Sequence, residues 1–166
     1  MQQRVQRQRG LSLVEVLVTL VVISIGMLGI AALYVESLRV GYTALSRTRA
    51  VSLAADMADR IRSNPAGEAT YAAGNNVAGS NAPFACAETA GVAAIACDPD
   101  ELAEFDIWQW KTLIGNSSED SAIQLGLPGG IGTIDYDDTT FPSTFVITVS
   151  WTERDEAQSY TLALAI

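Results

Sequence analysis

From Val16 to Val35 the chain runs for twenty residues without a charge. At about 1.5 Å of rise per residue, a helix of that length spans the roughly 30 Å hydrocarbon core of a bilayer. Beyond it the periodicity stays helical while the composition changes. Leu38, Tyr42, Leu45, Leu53, Met57 and Ile61 recur mostly at three- or four-residue spacings, with Arg47, Asp56, Asp59, Arg60 and Arg62 between them. Asp56 and Arg60 form an i, i+4 pair, and Arg60 and Arg62 suit a helix C-terminus. Asn64-Pro65 ends the pattern, because the residue before a proline is pushed out of α space. No proline interrupts residues 11–64, so one helix of about 80 Å is expected; Gly26 and Gly29 offer a weak point in its membrane half.

The remainder changes period twice. Residues 65–97 are rich in Ala, Gly and Asn without periodicity and read as a long surface loop. Asp98-Pro99-Asp100-Glu101 reads as a helix start, with Asp98 as N-cap, Pro99 in the first turn and Glu101 closing a capping box. That helix is expected to run to about Ile114 and stop at Gly115-Asn116. Leu102, Trp110 and Leu113 share one face of it, and Asp106 falls on the same face, a conflict that periodicity leaves open. After LPGG come three strand-like segments: residues 131–136, Phe145–Trp151 and Tyr160–Ile166. The last two alternate apolar and polar positions, and the polar run TERDEAQ reads as the turn between them. The expected product is an α+β fold, a small antiparallel sheet packed on the latter half of the long helix.

Charge divides the chain as sharply as hydropathy does. Residues 63–166 hold fifteen of the nineteen acidic side chains and only Lys111 and Arg154 as cations, a net of −13. Such a head should repel phosphates and anionic lipid, so no nucleic-acid binding is expected of it. Histidine is absent from the whole chain. That excludes Ser-His-Asp, Cys-His and HExxH sites, although carboxylate pairs could still do acid–base work. No catalytic residue, no cofactor and no metal are expected. Cys86 and Cys97, two thiols with no histidine nearby, make a poor ligand set, and the acids of 98–106 lack EF-hand spacing. In an exported domain the two cysteines most simply form one disulfide.

The first ten residues, MQQRVQRQRG, carry Arg4, Arg7 and Arg9 and no acid. A basic flank before an apolar run keeps the N-terminus cytoplasmic and sends the C-terminal part across the membrane. A secretory signal peptide fits less well, since Ile30-Ala31-Ala32 sits inside a run that continues as helix. On hydropathy alone a plain signal anchor remains open. Two residues bear on that choice. Gly10 stands at the junction of the basic and apolar segments, and Glu15 lies inside the apolar run. A charged carboxylate at the centre of a membrane helix costs up to about 2.5–3.5 kcal/mol, less towards the interface, and such groups generally have partners. Glu15 is the fifth residue after Gly10, one turn from an amino terminus created at Leu11. A neighbouring subunit staggered by a turn could bring its own amine to that carboxylate.

The segment RQRGLSLVEVLVTLVVISIGMLGIAAL resembles the leader and N-terminal helix of type IV prepilins and of type II secretion pseudopilins. The resemblance implies cleavage between Gly10 and Leu11 by a prepilin peptidase, N-methylation of Leu11, and Glu15 as the carboxylate that aligns subunits. Leu11 stands where Phe or Met is common in that family. The run AADMADRIRSN, the paired cysteines before an Asp-rich helix with Trp, the LPGG turn and the closing VSW strand resemble the PilV family of type IV pilus modification proteins, which are minor pilins. The pilin-like organisation so implied is a cleaved leader (1–10), a membrane and filament-core helix (11–35), an amphipathic exported half (36–64) and a periplasmic head (65–166). The implied role is priming pilus assembly and incorporation at or near the filament tip. The implied partners are other minor pilins, the major pilin, the assembly machinery, a tip adhesin where one is present, and the inner membrane before assembly. A minor pseudopilin of a type II secretion system is the nearest alternative. A single-pass membrane-anchored periplasmic binding module is the alternative of another class.

Overall fold

The computed structural model describes residues 12–74, 85–87, 93–115, 126–139 and 141–166. Helix α1 covers Leu13–Ser63, followed by a 3-10 turn at Pro65–Gly67, α2 at Glu68–Ala72 and α3 at Pro99–Gly115. Strands β1 (Ile131–Asp137), β2 (Thr144–Glu153) and β3 (Glu156–Ala165) form one antiparallel sheet in the order β1-β2-β3. The chain divides into two units, one ending at Tyr42 and the other Thr43–Ile166.

The first unit is the apolar stretch of α1, long and apolar enough to cross a membrane, with none of its apolar window buried within the chain. Two of its hydroxyls, those of Thr19 and Ser24, are satisfied by its own backbone. Thr19 Oγ1 donates to the Val16 carbonyl at 2.8 Å and Ser24 Oγ to the Leu20 carbonyl at 2.7 Å. That internal satisfaction is what hydrocarbon demands, because lipid offers no hydrogen-bond partner. Charge returns with Glu36 and Arg39, an exposed ion pair at 3.5 Å.

In the second unit α1 buries Ala50, Ala54, Met57, Ala58 and Ile61, a stripe at helical spacing whose small residues permit close packing. Met57 and Ile61 are buried as their spacing predicts, whereas Leu38, Tyr42 and Leu45 are exposed. The core joins this stripe to Tyr71 of α2, to Ala103, Ile107, Trp110 and Ile114 of α3, and to the inner face of the sheet. On β2 that face is Phe145, Ile147, Val149 and Trp151, all buried as the alternation predicts. Trp110 Nε1 donates to the Leu53 carbonyl at 2.8 Å, so the one polar atom of a fully buried ring is matched. Gly132 of β1 faces this ring: a Cβ there would stand 2.5 Å from it.

Three local expectations change. Residues 65–97 are not loop throughout, since the 3-10 turn and α2 lie within them and place Tyr71 in the core. Ile114 of α3 is fully buried and Leu113 is 46% exposed, so the buried face is rotated by one residue from the predicted stripe. The polar run 152–158 is mostly strand. β2 and β3 pair as far as Glu153–Glu156, and only Arg154 and Asp155 turn, both with positive φ. Two successive left-handed residues make a type I′ turn, whose twist matches that of the strands. Polarity alone could not distinguish exposed strand ends from a loop.

Candidate assembly site

Gly10 and Leu11 lie outside the described residues. Glu15 lies in the first turn of α1. Its side chain is exposed and makes no hydrogen bond or ion pair among the described residues. Its backbone N–H donates to the Ser12 carbonyl at 3.0 Å, so the helix is already wound where the carboxylate projects. A negative charge at this end suits the helix dipole. In hydrocarbon it would still lack a counter-charge.

The head is held in one shape by groups that the sequence presents separately. Arg60 of α1 donates from Nε to Asp56 at 2.9 Å and from Nη1 to Asp106 Oδ1 and to Gln109 Oε1, each at 2.7 Å. The other Asp106 oxygen accepts from the buried Tyr71 hydroxyl at 2.7 Å. Asp106 is therefore the point where α1, α2 and α3 are tied together, which resolves its presence on an apolar face. Arg60 and Tyr71 had no sequence signal of this role beyond the Asp56–Arg60 spacing and that misplaced acid. Burial, reinforced by the bond to Asp106, holds the Tyr71 phenol well above its ordinary pKa.

At the N-terminus of α3, Asp98 Oδ1 accepts from the N–H groups of Asp100 and Glu101, at 3.0 and 2.9 Å, and Glu101 returns a bond to the Asp98 N–H at 3.0 Å. This is the predicted capping box. Next to it Cys86 and Cys97 form a disulfide with Cα atoms 5.6 Å apart. Asn64, just past α1, donates to the Pro99 carbonyl at 2.7 Å, so the two helix ends meet through a side chain. Burial lowers the Lys111 pKa; its ammonium donates to the Gly74 carbonyl at 2.7 Å. The side-chain bond to Glu68 raises the Tyr136 pKa, and bonds from Thr139 lower that of Asp137. Among the described residues no three His, Cys, Asp or Glu side chains converge on a metal site.

Comparison with known proteins adds to this geometry. Residues 5–31 match the model of the prokaryotic N-terminal methylation motif, and residues 32–108 match the family model described as type IV pilin Tt1218. No curated protein and no solved structure matches the chain. The second match takes in Arg60, Tyr71, both cysteines and Asp106, the residues that fasten the helices of the head. The two matches run without a gap along α1 and into α3, and with the architecture above they support a type IV pilin.

Proposed function

We propose that this pilin is a minor one of the PilV type, made as a membrane precursor and used to prime pilus assembly at or near the filament tip. Type IV pilins are structural proteins, and the N-terminal helix fits a single-pass anchor. The observation that carries the reading is the N-terminal methylation motif over residues 5–31, on a helix with one carboxylate in an otherwise apolar segment. In this reading the three leader arginines hold the N-terminus in the cytoplasm, where prepilin peptidase cuts between Gly10 and Leu11. The head lies in the periplasm until the subunit enters the filament. The new N-terminus at Leu11 is methylated on cleavage, and in the filament Glu15 meets the amine of a staggered neighbour, either the major pilin or another minor pilin. Meeting that charge in the assembled bundle offsets the desolvation that Glu15 bears alone in lipid.

Mass spectrometry of the mature chain tests the processing step. The expected product begins at N-methyl-Leu11. A chain that retains Met1, or begins after Ala32, overturns the prepilin reading. For the minor role, the chain should be present in sheared pili at far fewer copies than the major pilin, and its deletion should sharply reduce surface pili. Equal abundance with the major pilin would overturn it.

A further inference from the structure

Between α1 and the β2–β3 turn lies a charged cleft of about 250 Å³, lined by Thr43 and Arg47 of the helix and by Glu153, Arg154, Glu156 and Gln158 of the hairpin. Thr43 and Arg47 stand four residues apart and so share one face of α1. Glu153 and Glu156 are the last pair of the β2–β3 ladder, with Arg154 in the turn between them. The cleft therefore holds two guanidiniums and two carboxylates. None of these four side chains makes an ion pair or a hydrogen bond among the described residues. Arg60 and Arg62, later on the same helix, are both paired with nearby carboxylates, so the arrangement in the cleft is a departure. Arg154 is also held at a φ of 53°, a left-handed position where a type I′ turn favours Asn or Gly. Strain of this kind collects where a side chain is used.

Unpaired charges of both signs suit a ligand that carries both. A lone phosphate or carboxylate would meet Glu153 and Glu156, and the acidic head as a whole repels anions. A zwitterion without net charge meets neither objection. The place of the cleft along the chain narrows the class further. The chain enters the head at Thr43, eight residues beyond Val35, where the uncharged run ends. Eight residues of helix rise about 12 Å. The polar layer of a bilayer covers roughly 5–8 Å outside the hydrocarbon, and a long arginine side chain spans much of the remainder. We propose that the cleft binds the headgroup of a zwitterionic phospholipid with a primary ammonium, its phosphate between Arg47 and Arg154 and its ammonium against Glu153 and Glu156. The guanidiniums donate N–H groups to the phosphate oxygens, and the ammonium donates its own to the carboxylates. This site rests on the membrane-anchored state proposed above and is independent of the filament role.

The test places the full chain in nanodiscs of phosphatidylethanolamine, phosphatidylcholine and phosphatidylglycerol in equal parts, and native mass spectrometry identifies the lipid that stays bound. Phosphatidylethanolamine should be retained over each of the others by roughly two- to fivefold, the range for exposed charge pairs. Phosphatidylcholine has no ammonium N–H to donate, and phosphatidylglycerol has no cation. Arg154→Gly, which suits the left-handed position and so keeps the turn, should abolish the preference. Glu153→Gln with Glu156→Gln should turn it towards phosphatidylglycerol, a reversal that a merely structural role for the glutamates would not produce. Equal retention of the three lipids, a preference unmoved by these variants, or displacement of the lipid by excess inorganic phosphate overturns the site. Co-elution of the chain with the disc is scored separately. A chain that fails to co-elute overturns the anchored state and this site with it, whereas one that co-elutes without a lipid preference overturns the site alone.

Discussion

Asp106 shows what a single residue decides in this head. Its carboxylate is nearly buried, yet both oxygens are taken, one by Arg60 and one by Tyr71. Removing it takes the acceptor from the buried Tyr71 hydroxyl and leaves Arg60 with only Asp56 and Gln109, a loss at the low end of the roughly 3–5 kcal/mol for breaking a buried ion pair. Asp106→Ala should therefore lower stability by about 3 kcal/mol in denaturant titration, whereas Tyr71→Phe, losing one hydrogen bond, should lower it by about 1 kcal/mol. The raised Tyr71 pKa also has a sign. The folded state keeps the phenol protonated where the unfolded chain, with its ordinary value near 10, would release the proton. This contribution is complete below pH 10 and is lost as pH rises above it. Stability followed from pH 9 to 12 should fall less steeply in Tyr71→Phe than in the wild type. Parallel curves would contradict the argument. The conflict of an acid on an apolar face was visible in the sequence, but its resolution needed a guanidinium 46 residues away.

Two elements depend on features that local pattern could or could not reveal. The disulfide fastens the approach to α3 where the capping box begins. Closing so short a loop contributes about 2–3 kcal/mol in the chain-entropy model. A double Cys86→Ser, Cys97→Ser variant should lose about that much and still fold, since the cap and the Asn64–Pro99 bond remain. Native exported wild-type protein should not react with maleimide until reduced. The close approach of β1 to α3 is a second case. Gly132→Ala would push a methyl into the Trp110 ring, and overpacking of this kind costs about 1–3 kcal/mol. A shift in thermal midpoint with unchanged helix content is the expected signature. The capping box was legible because its residues are neighbours in sequence. The need for glycine at 132 was not, because the ring that excludes a Cβ comes from another element.

At the scale of the whole molecule, the proposed assembly role falls to Glu15, in the first turn of α1. If it serves assembly, Glu15→Ala should insert into the membrane at least as well as wild type, since an apolar side chain removes the desolvation cost. Cleavage after Gly10 should persist, because the carboxylate lies beyond the scissile bond. Surface pili and co-isolation with other minor pilins should both fall when the variant replaces the native chain at equal expression. Wild-type values for both would rule out the amine-pairing account. The polar run 152–158 carries a lesson at the same scale. Its polarity predicts a turn throughout, yet β2 and β3 extend through most of it, since a sheet can leave its strand ends in water.

The sequence alone determined the membrane-length helix, the basic character of the first ten residues, the carboxylate within the run, the capping box and the alternation of β2. Each rests on period, charge or neighbours within a few residues, and local physics acts at that range. Tertiary structure alone decided that Asp106 joins three helices, that α2 interrupts the expected loop, that Ile114 rather than Leu113 is buried, and that Gly132 meets a tryptophan. These depend on which surfaces approach each other across long stretches of chain. Packing sets that approach in three dimensions, and no single window of sequence contains both sides of the contact.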